Sequence, residues 1–177
     1  MKTPITALLV ALVCTACATP QQPHKPEAAA MQNLPVPQLH TPRAGLITGG
    51  QPEASAWPVL AQQGVTTVIN LRPQAEMAGR DEASEVEAAG MRYVEIPVDG
   101  AAGITMENAR ALRSLLDDAN GTVLVHCASG NRVGGLIALG AADAGASSED
   151  AIAQGRAAGL TGAEVRVREV LEAPQRP

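Results

Sequence analysis

Residues 122–135 constrain the fold of this chain more than any other stretch. The run from Thr122 to His126 is short, apolar and rich in β-branched side chains, which predicts a buried strand. A short loop follows, and residues 133–139 are apolar on every side, which indicates a helix buried in the core. Because the strand, the loop and the helix follow each other directly, Cys127 is predicted to lie at the carboxyl end of a central strand.

The loop between Cys127 and Arg132 has the composition of an anion site that holds a nucleophile. Backbone N–H groups at the start of a helix attract an anion and favour the thiolate form of a neighbouring cysteine. Arg132 can offer a planar pair of donors to two oxygens of an oxyanion. Gly130 supplies backbone freedom rather than chemistry. A cysteine inside an oxyanion site indicates covalent catalysis.

Apolar runs and amphipathic runs alternate from residue 46 onward. This pattern predicts an α/β fold with a central, mostly parallel sheet of about four to five strands flanked by helices. Thr161 and Glu164 have the spacing of a capping box, which predicts the start of the last helix. The predicted strands are residues 46–48, 65–71, 91–98 and 122–126, and the predicted helices are residues 54–63, 81–89, 105–118, 133–144, 148–158 and 162–172.

Composition limits the function classes. At 177 residues and 46% hydrophobic side chains, the chain is long enough for one domain with a core. With one Trp, one Tyr and no Phe, that core must be aliphatic. The net charge of −5 argues against a nucleic-acid partner, because phosphate contacts need clustered cations. The sequence contains no metal-ligand cluster and no nucleotide-binding fingerprint, so neither a metal nor another cofactor is expected.

Residues 1–18 predict an export signal. Lys2 carries the positive charge, and residues 5–13 form an apolar stretch that is too short to span a bilayer. Cys17 follows Ala16 as in a bacterial lipoprotein signal, which predicts lipidation of Cys17. The domain would then lie at the periplasmic face of a membrane and touch it only through this anchor. The same residues also fit ordinary cleavage, which would leave a soluble periplasmic protein.

Residues 19–43 are rich in Pro and are predicted to form a linker, so that residues 44–177 form the domain. Processing of the signal would remove Cys14 and would either lipidate or remove Cys17. Cys127 is then the single thiol of the domain. Because exported proteins normally pair their cysteines, a single thiol is either a buried structural residue or a reactive one. His126 before Cys127 and Arg132 after it favour the reactive residue.

The segment from Cys127 to Arg132 resembles the signature of the cysteine-based phosphatases and of the rhodanese-type sulfurtransferases. Four residues separate Cys127 from Arg132. Rhodanese-type sulfurtransferases carry a loop of this length. Tyrosine and dual-specificity phosphatases carry one residue more, which lets the loop wrap a tetrahedral phosphate. Loop length by itself therefore favours the sulfurtransferases.

The flanking motifs resemble the phosphatase-like family named after the beta-lactamase hydrolase-like proteins, whose members are labelled both phosphatase-like and sulfurtransferase. The resemblance runs from about Leu46 to Leu171 and implies a cysteine-phosphatase-like fold. The motifs that carry it are Gly49-Gly50-Gln51-Pro52, Val68-Ile69-Asn70-Leu71-Arg72, Gly90-Met91-Arg92-Tyr93 and Ile96-Pro97-Val98-Asp99.

The resemblance also implies roles for individual residues. Cys127 would attack the substrate, Arg132 would hold its oxyanion, and Asp99 would protonate the leaving group, although an Asp-Gly pair is equally a turn signal. His126 would hold the loop or, alternatively, bond to backbone at the strand end. Arg72 would add charge at the pocket mouth or lie on the surface. The residues predicted to bind substrate are His126, Ala128, Ser129, Gly130, Asn131, Val133 and Arg72.

Three functions remain open on the sequence. The first is a phosphatase-like hydrolase, and the second is a sulfurtransferase in which Cys127 carries a persulfide. The third is a periplasmic module that binds an anion without catalysis. Val133 stands where many tyrosine phosphatases place Ser or Thr, which predicts a slow second step for a phosphatase. In each enzyme case the substrate would be a small phosphorylated or sulfur-containing anion.

Overall fold

A computed structural model describes residues 33–173. Within this range the chain forms one sheet of five strands in the order β1-β2-β5-β3-β4. The hairpin of β1 and β2 is antiparallel, and the other three pairings are parallel. The predicted α/β fold with a mostly parallel sheet is therefore confirmed. The strands are β1 (His40–Arg43), β2 (Leu46–Gly49), β3 (Val65–Asn70), β4 (Arg92–Glu95) and β5 (Thr122–His126).

Helices cover both faces of the sheet, as the alternating pattern predicts. They are α1 (Trp57–Gln62), α2 (Glu82–Ala88), α3 (Met106–Asp117), α4 (Asn131–Asp143), α5 (Ser148–Ala157) and α6 (Glu164–Glu172). A 3-10 turn precedes α1, and a second 3-10 turn, Gln74–Glu76, follows β3. Among these helices none is both long and apolar enough to cross a bilayer.

Strand β5 lies at the centre of the sheet and separates two cores. Because side chains alternate between the faces of a strand, Val123 and Val125 pack into the core that contains α3, α4 and α6, and Leu124 packs into the core that contains Trp57. The alternation continues past the strand end. His126 lies on the Trp57 side, with ring centroids 6.2 Å apart, and Cys127 joins the opposite core.

The segment before β2 differs from the prediction. Residues 40–43 were assigned to the linker but form β1, which pairs with β2. Leu34 and Val36, also in the predicted linker, are buried in the Trp57 core. This edge strand was missed because its four residues show no apolar alternation. The export signal, Cys17 and the first part of the predicted linker lie outside the described residues.

The predicted capping box of the last helix is wrong. Ala163 is the N-terminal cap of α6, and no side chain caps it. Thr161 instead donates its N–H and its hydroxyl to Oδ1 of Asn131, at 2.8 and 3.2 Å. A partner 30 residues away competes successfully with the local bond, and the result ties the loop before α6 to the start of α4.

Helix α4 approaches α5 closely because both carry glycine at the contact. A Cβ atom on Gly134 would collide with the backbone of Leu160 and would lie 2.7 Å from the carbonyl oxygen of Gly155. A glycine at the start of α4 suggests close approach of a strand or a ligand, but the neighbours of Gly134 are α5 and Leu160.

We expect Gly134→Ala to lower the free energy of unfolding by roughly 1–3 kcal/mol, the usual cost of overpacking. Gly140→Ala on the same helix is the matched control, because its Cβ would meet nothing nearer than the carbonyl oxygen of Ala109 at 3.8 Å. Helix propensity should make that change neutral or stabilising by up to about 1 kcal/mol. Urea denaturation of the two variants measures the difference. Equal effects would show that the helix contact is not tight.

Candidate active site

Cys127 lies where the sequence predicts, directly after β5, and it is 1% exposed. The loop that follows turns through Gly130, whose φ of 83° lies in the left-handed region that favours glycine. This turn brings the N–H of Gly130 to 3.2 Å from Sγ of Cys127, and α4 begins at the next residue. The sulfur therefore lies beside an N–H donor and the start of a helix.

Arg132 is held by one edge of its guanidinium. Nη1 donates to Oε1 of Glu76 and to the carbonyl oxygen of Val98, both at 2.8 Å, and Nη2 donates to Oε2 of Glu76 at 2.7 Å. A guanidinium has five N–H donors, so these bonds use the Nη1–Nη2 edge. Within residues 33–173 no protein oxygen accepts from Nε or from the second N–H of Nη2, and the Cys127 sulfur lies within hydrogen-bonding reach of the guanidinium, so this edge can receive an oxyanion beside the sulfur.

The charges of the site support this arrangement. Burial lowers the pKa of Arg132, but the bond to Glu76 and the charge of the Cys127 sulfur more than offset it and raise the pKa overall. The hydrogen bond from Arg132 is the main reason that the pKa of Glu76 lies below its ordinary value. Since that pKa is depressed, the pair persists at neutral pH and is lost only as the pH falls through it.

Glu76 is a site residue that the sequence analysis missed. It also pairs with Arg72, whose Nε lies 3.5 Å from Oε2 and whose Nη2 donates to the backbone carbonyl of Glu76. Arg72 is thus connected to Arg132 through Glu76, whose carboxylate bridges both cations. The i, i+4 spacing of Arg72 and Glu76 was a usable signal. The bond to Arg132 spans 56 residues, and no local pattern indicates it.

Glu82 was missed as well. His126 Nε2 lies 2.7 Å from Oε1 of Glu82, and both side chains are 0% exposed. Among the described residues Nδ1 of His126 has no hydrogen-bond partner, so the bond to Glu82 is the one that fixes the ring. A carboxylate at the first turn of a helix normally faces solvent, so burial of Glu82 requires a partner such as this one.

The structure separates the residues predicted to bind substrate into two groups. His126 and Val133 have fully buried side chains and do not line the pocket beside the cysteine. Ser129, Asn131, Cys127 and Arg132 line this pocket, whose volume is about 250 Å³. Ala128 is exposed in the same loop, and Gly130 shapes the loop as described.

Asp99 is a neighbour in sequence of two residues at the site. Its side chain is exposed, Gly100 after it lines the pocket, and the carbonyl of Val98 before it accepts the bond from Arg132. Its carboxylate forms none of the bonds that hold Cys127 or Arg132 in the described part of the chain.

Residues 50–146 match the family model of the phosphatase-like domain of the beta-lactamase hydrolase-like proteins. The chain belongs to this family. The beta-lactamase hydrolase-like protein of Agrobacterium fabrum (strain C58 / ATCC 33970) is 40% identical over 101 residues, which are 55% of this chain and 23% of that protein. The chain thus matches less than a quarter of the length of that relative.

Solved structures agree with the family. A candidate phosphatase (DUF442) from Shewanella putrefaciens CN-32 is 25% identical, with a TM-score of 0.58 over 81% of this chain and 96% of that one. Tk-PTP, at 19% identity, shares the fold with a TM-score of 0.55 over 77% of this chain and 97% of that chain. The predicted cysteine-phosphatase-like fold is confirmed, and the family supports a phosphatase-type function.

We expect inorganic phosphate to protect Cys127 from iodoacetamide, because the anion would occupy the free edge of Arg132 and cover the sulfur. Cys127 labelling at a fixed pH should slow by about tenfold or more at saturating phosphate, since the reagent attacks only an accessible thiolate. Mass spectrometry of the labelled peptide measures the rate, and chloride at equal ionic strength is the control. Equal labelling rates in both salts would count against an anion site.

Proposed function

We propose that this domain is a cysteine-dependent phosphoric monoester hydrolase. The observation that carries the proposal is the free Nε–Nη2 edge of Arg132, held beside the Cys127 sulfur by Glu76 and the carbonyl oxygen of Val98. A fork of donors fixed in this way suits two oxygens of a phosphoryl group. Membership of a phosphatase-like family supports the same reaction class.

In the first step the Cys127 thiolate attacks phosphorus. A sulfur–phosphorus bond forms, the ester oxygen–phosphorus bond breaks, and Asp99 gives its proton to the departing oxygen. Arg132 and the loop N–H groups, including that of Gly130, hold the charged oxygens through the transition state. Glu76 keeps the guanidinium in place but does not touch the substrate.

In the second step water attacks the phosphorus of the phosphocysteine. Asp99 accepts a proton from the water, the sulfur–phosphorus bond breaks, and the thiolate of Cys127 returns with release of phosphate. The residue after Arg132 is Val133, which is fully buried. Because valine has no hydroxyl, the side chain at this position cannot assist the departing thiolate. We therefore expect the second step to limit turnover.

A sulfurtransferase is the second candidate, and the four-residue loop is the observation that favours it. The Cys127 thiolate would attack the outer sulfur of thiosulfate, break the sulfur–sulfur bond and release sulfite. Cyanide would then take the outer sulfur of the resulting persulfide as thiocyanate and regenerate the thiolate. Neither step needs a proton donor, so Asp99 has no role in this reaction.

A parallel assay of the purified domain separates these functions. One arm contains nitrophenyl phosphate, and the other contains thiosulfate with cyanide. We expect release of nitrophenol at a rate well above that of the sulfur arm. Thiocyanate without nitrophenol would replace the hydrolase with the sulfurtransferase. Phosphate protection of Cys127 without turnover in either arm would leave an anion-binding module.

A further inference from the structure

Gln51 belongs to the Gly-Gln-Pro motif, and the proposed reaction assigns it no role. Its side-chain amide lies between two charged groups: Nε2 donates to Oε2 of Glu82, and Oε1 accepts from Nη1 of Arg72 at 2.7 Å. An amide can donate and accept at the same time, whereas a carboxylate only accepts and a guanidinium only donates. Gln51 is therefore the residue type that can join these two groups without placing like charges together.

Glu82 and Arg72 are each connected, through one further contact, to one end of the loop between Cys127 and Arg132. Glu82 bonds to His126, which directly precedes Cys127. Arg72 pairs with Glu76, which holds Arg132. A continuous series of six side chains thus runs from His126 to Arg132, and Gln51 is the third of them.

The backbone around Gln51 is fixed to the same loop. The N–H of Cys127 donates to the carbonyl oxygen of Gly49 at 3.3 Å, and Gly50 pairs with Ser129 in an isolated antiparallel bridge. A Cβ on Gly50 would lie 3.0 Å from the carbonyl oxygen of Ala128. The backbone directly before Gln51 is therefore bonded to the loop, while the Gln51 side chain is connected to the two ends of the loop through Glu82 and Arg72.

We propose that Gln51 is a positioning residue that fixes the Cys127 sulfur and the Arg132 guanidinium relative to each other. It acts through Glu82 with His126 on one side and through Arg72 with Glu76 on the other. Loss of its two bonds releases Arg72 and Glu76 together, so the free edge of Arg132 is no longer held at one place above the sulfur. The effect on turnover rests on the proposed function, whereas the effect on anion binding does not.

The test uses a swap of the two bonded side chains. Gln51→Glu places a carboxylate against Glu82 and removes the donor, so the phosphate concentration that half-protects Cys127 from iodoacetamide should rise about tenfold or more. kcat/KM for nitrophenyl phosphate should fall by a similar factor. The double variant Gln51→Glu/Glu82→Gln restores a donor, an acceptor for Arg72 and an acceptor for His126, so both values should return to within about threefold of wild type.

Two controls separate positioning from general damage. Gln62→Glu makes the same chemical change at an exposed position of α1 and should alter neither value. Gln51→Met keeps the length of the side chain but forms neither bond. This variant is measured instead of Gln51→Glu if the Gln51→Glu protein does not fold. The melting temperature of each variant reports its stability separately from anion binding. A melting temperature far above that of the assay shows that the variant is folded during the assay.

The outcomes are distinguishable. If the single variants leave phosphate protection unchanged, or if the swap fails to restore it, Gln51 is not a positioning residue. If wild type shows phosphate protection but no hydrolysis, the proposed function fails, and the protection series still decides the role of Gln51. If phosphate does not protect the wild-type thiol at all, the free edge of Arg132 is not an anion site and the inference fails with it.

Discussion

Cys127→Ser is expected to reduce hydrolysis of nitrophenyl phosphate on the order of 10⁴-fold or more, since removal of a covalent nucleophile abolishes its pathway. A serine hydroxyl is far less ionised at neutral pH than a thiol, and the loop offers it no general base in the described structure. Phosphate should still bind to this variant, because Arg132 keeps its bonds to Glu76 and to the carbonyl oxygen of Val98 when the sulfur is replaced. Steady-state kinetics and calorimetric titration with phosphate measure the two effects.

Arg132→Lys completes this experiment, because it should lose binding as well as turnover. A lysine ammonium cannot bond Glu76 and an oxyanion as a fork. Arg156→Lys is the matched control: Arg156 is exposed and pairs only with Glu164 at the surface, where such pairs contribute about 0–1 kcal/mol. Substantial activity in Cys127→Ser would mean that another group is the nucleophile and would overturn the mechanism.

Asp99→Asn is expected to have the second largest effect, and the effect should depend on the leaving group. An alkyl or phenyl oxygen needs a proton as it departs, so its ester should be cleaved about 10²–10⁴-fold more slowly. Nitrophenolate departs without help, so nitrophenyl phosphate should be affected much less. The ratio of kcat/KM values for phenyl and nitrophenyl phosphate measures this selectivity, which a general loss of folded protein would not change.

Asp118→Asn is the matched control for Asp99, because Asp118 is exposed at the end of α3. It should leave the selectivity ratio unchanged. The transfer of sulfur from thiosulfate to cyanide should be unaffected by either change. If Asp99→Asn slows all esters equally, or none of them, Asp99 is a turn residue and the proton donor is a different group.

Local pattern was sufficient for the centre of the fold. Strand β5 ends at His126 as predicted, and α4 begins at Asn131, two residues before the predicted start, because strand, loop and helix are determined by residues that adjoin in sequence. Cys127 and Arg132 come together for the same reason. Arg72 and Asp99 follow β3 and β4, whose carboxyl ends lie at the same edge of the sheet as that of β5.

Tertiary structure alone decided how the site is held. Glu76, Glu82 and Gln51 look like surface residues in the sequence, and they gain their roles only when partners 56, 44 and 31 residues away are brought into contact. A buried charge must find a partner wherever the fold supplies one, and sequence periodicity contains no record of that choice. By itself the sequence determined the position of Cys127, the loop after it and the sheet around it. The folded chain determined which carboxylates and which amide fix the geometry of that loop, because charge pairing acts through space and not along the chain.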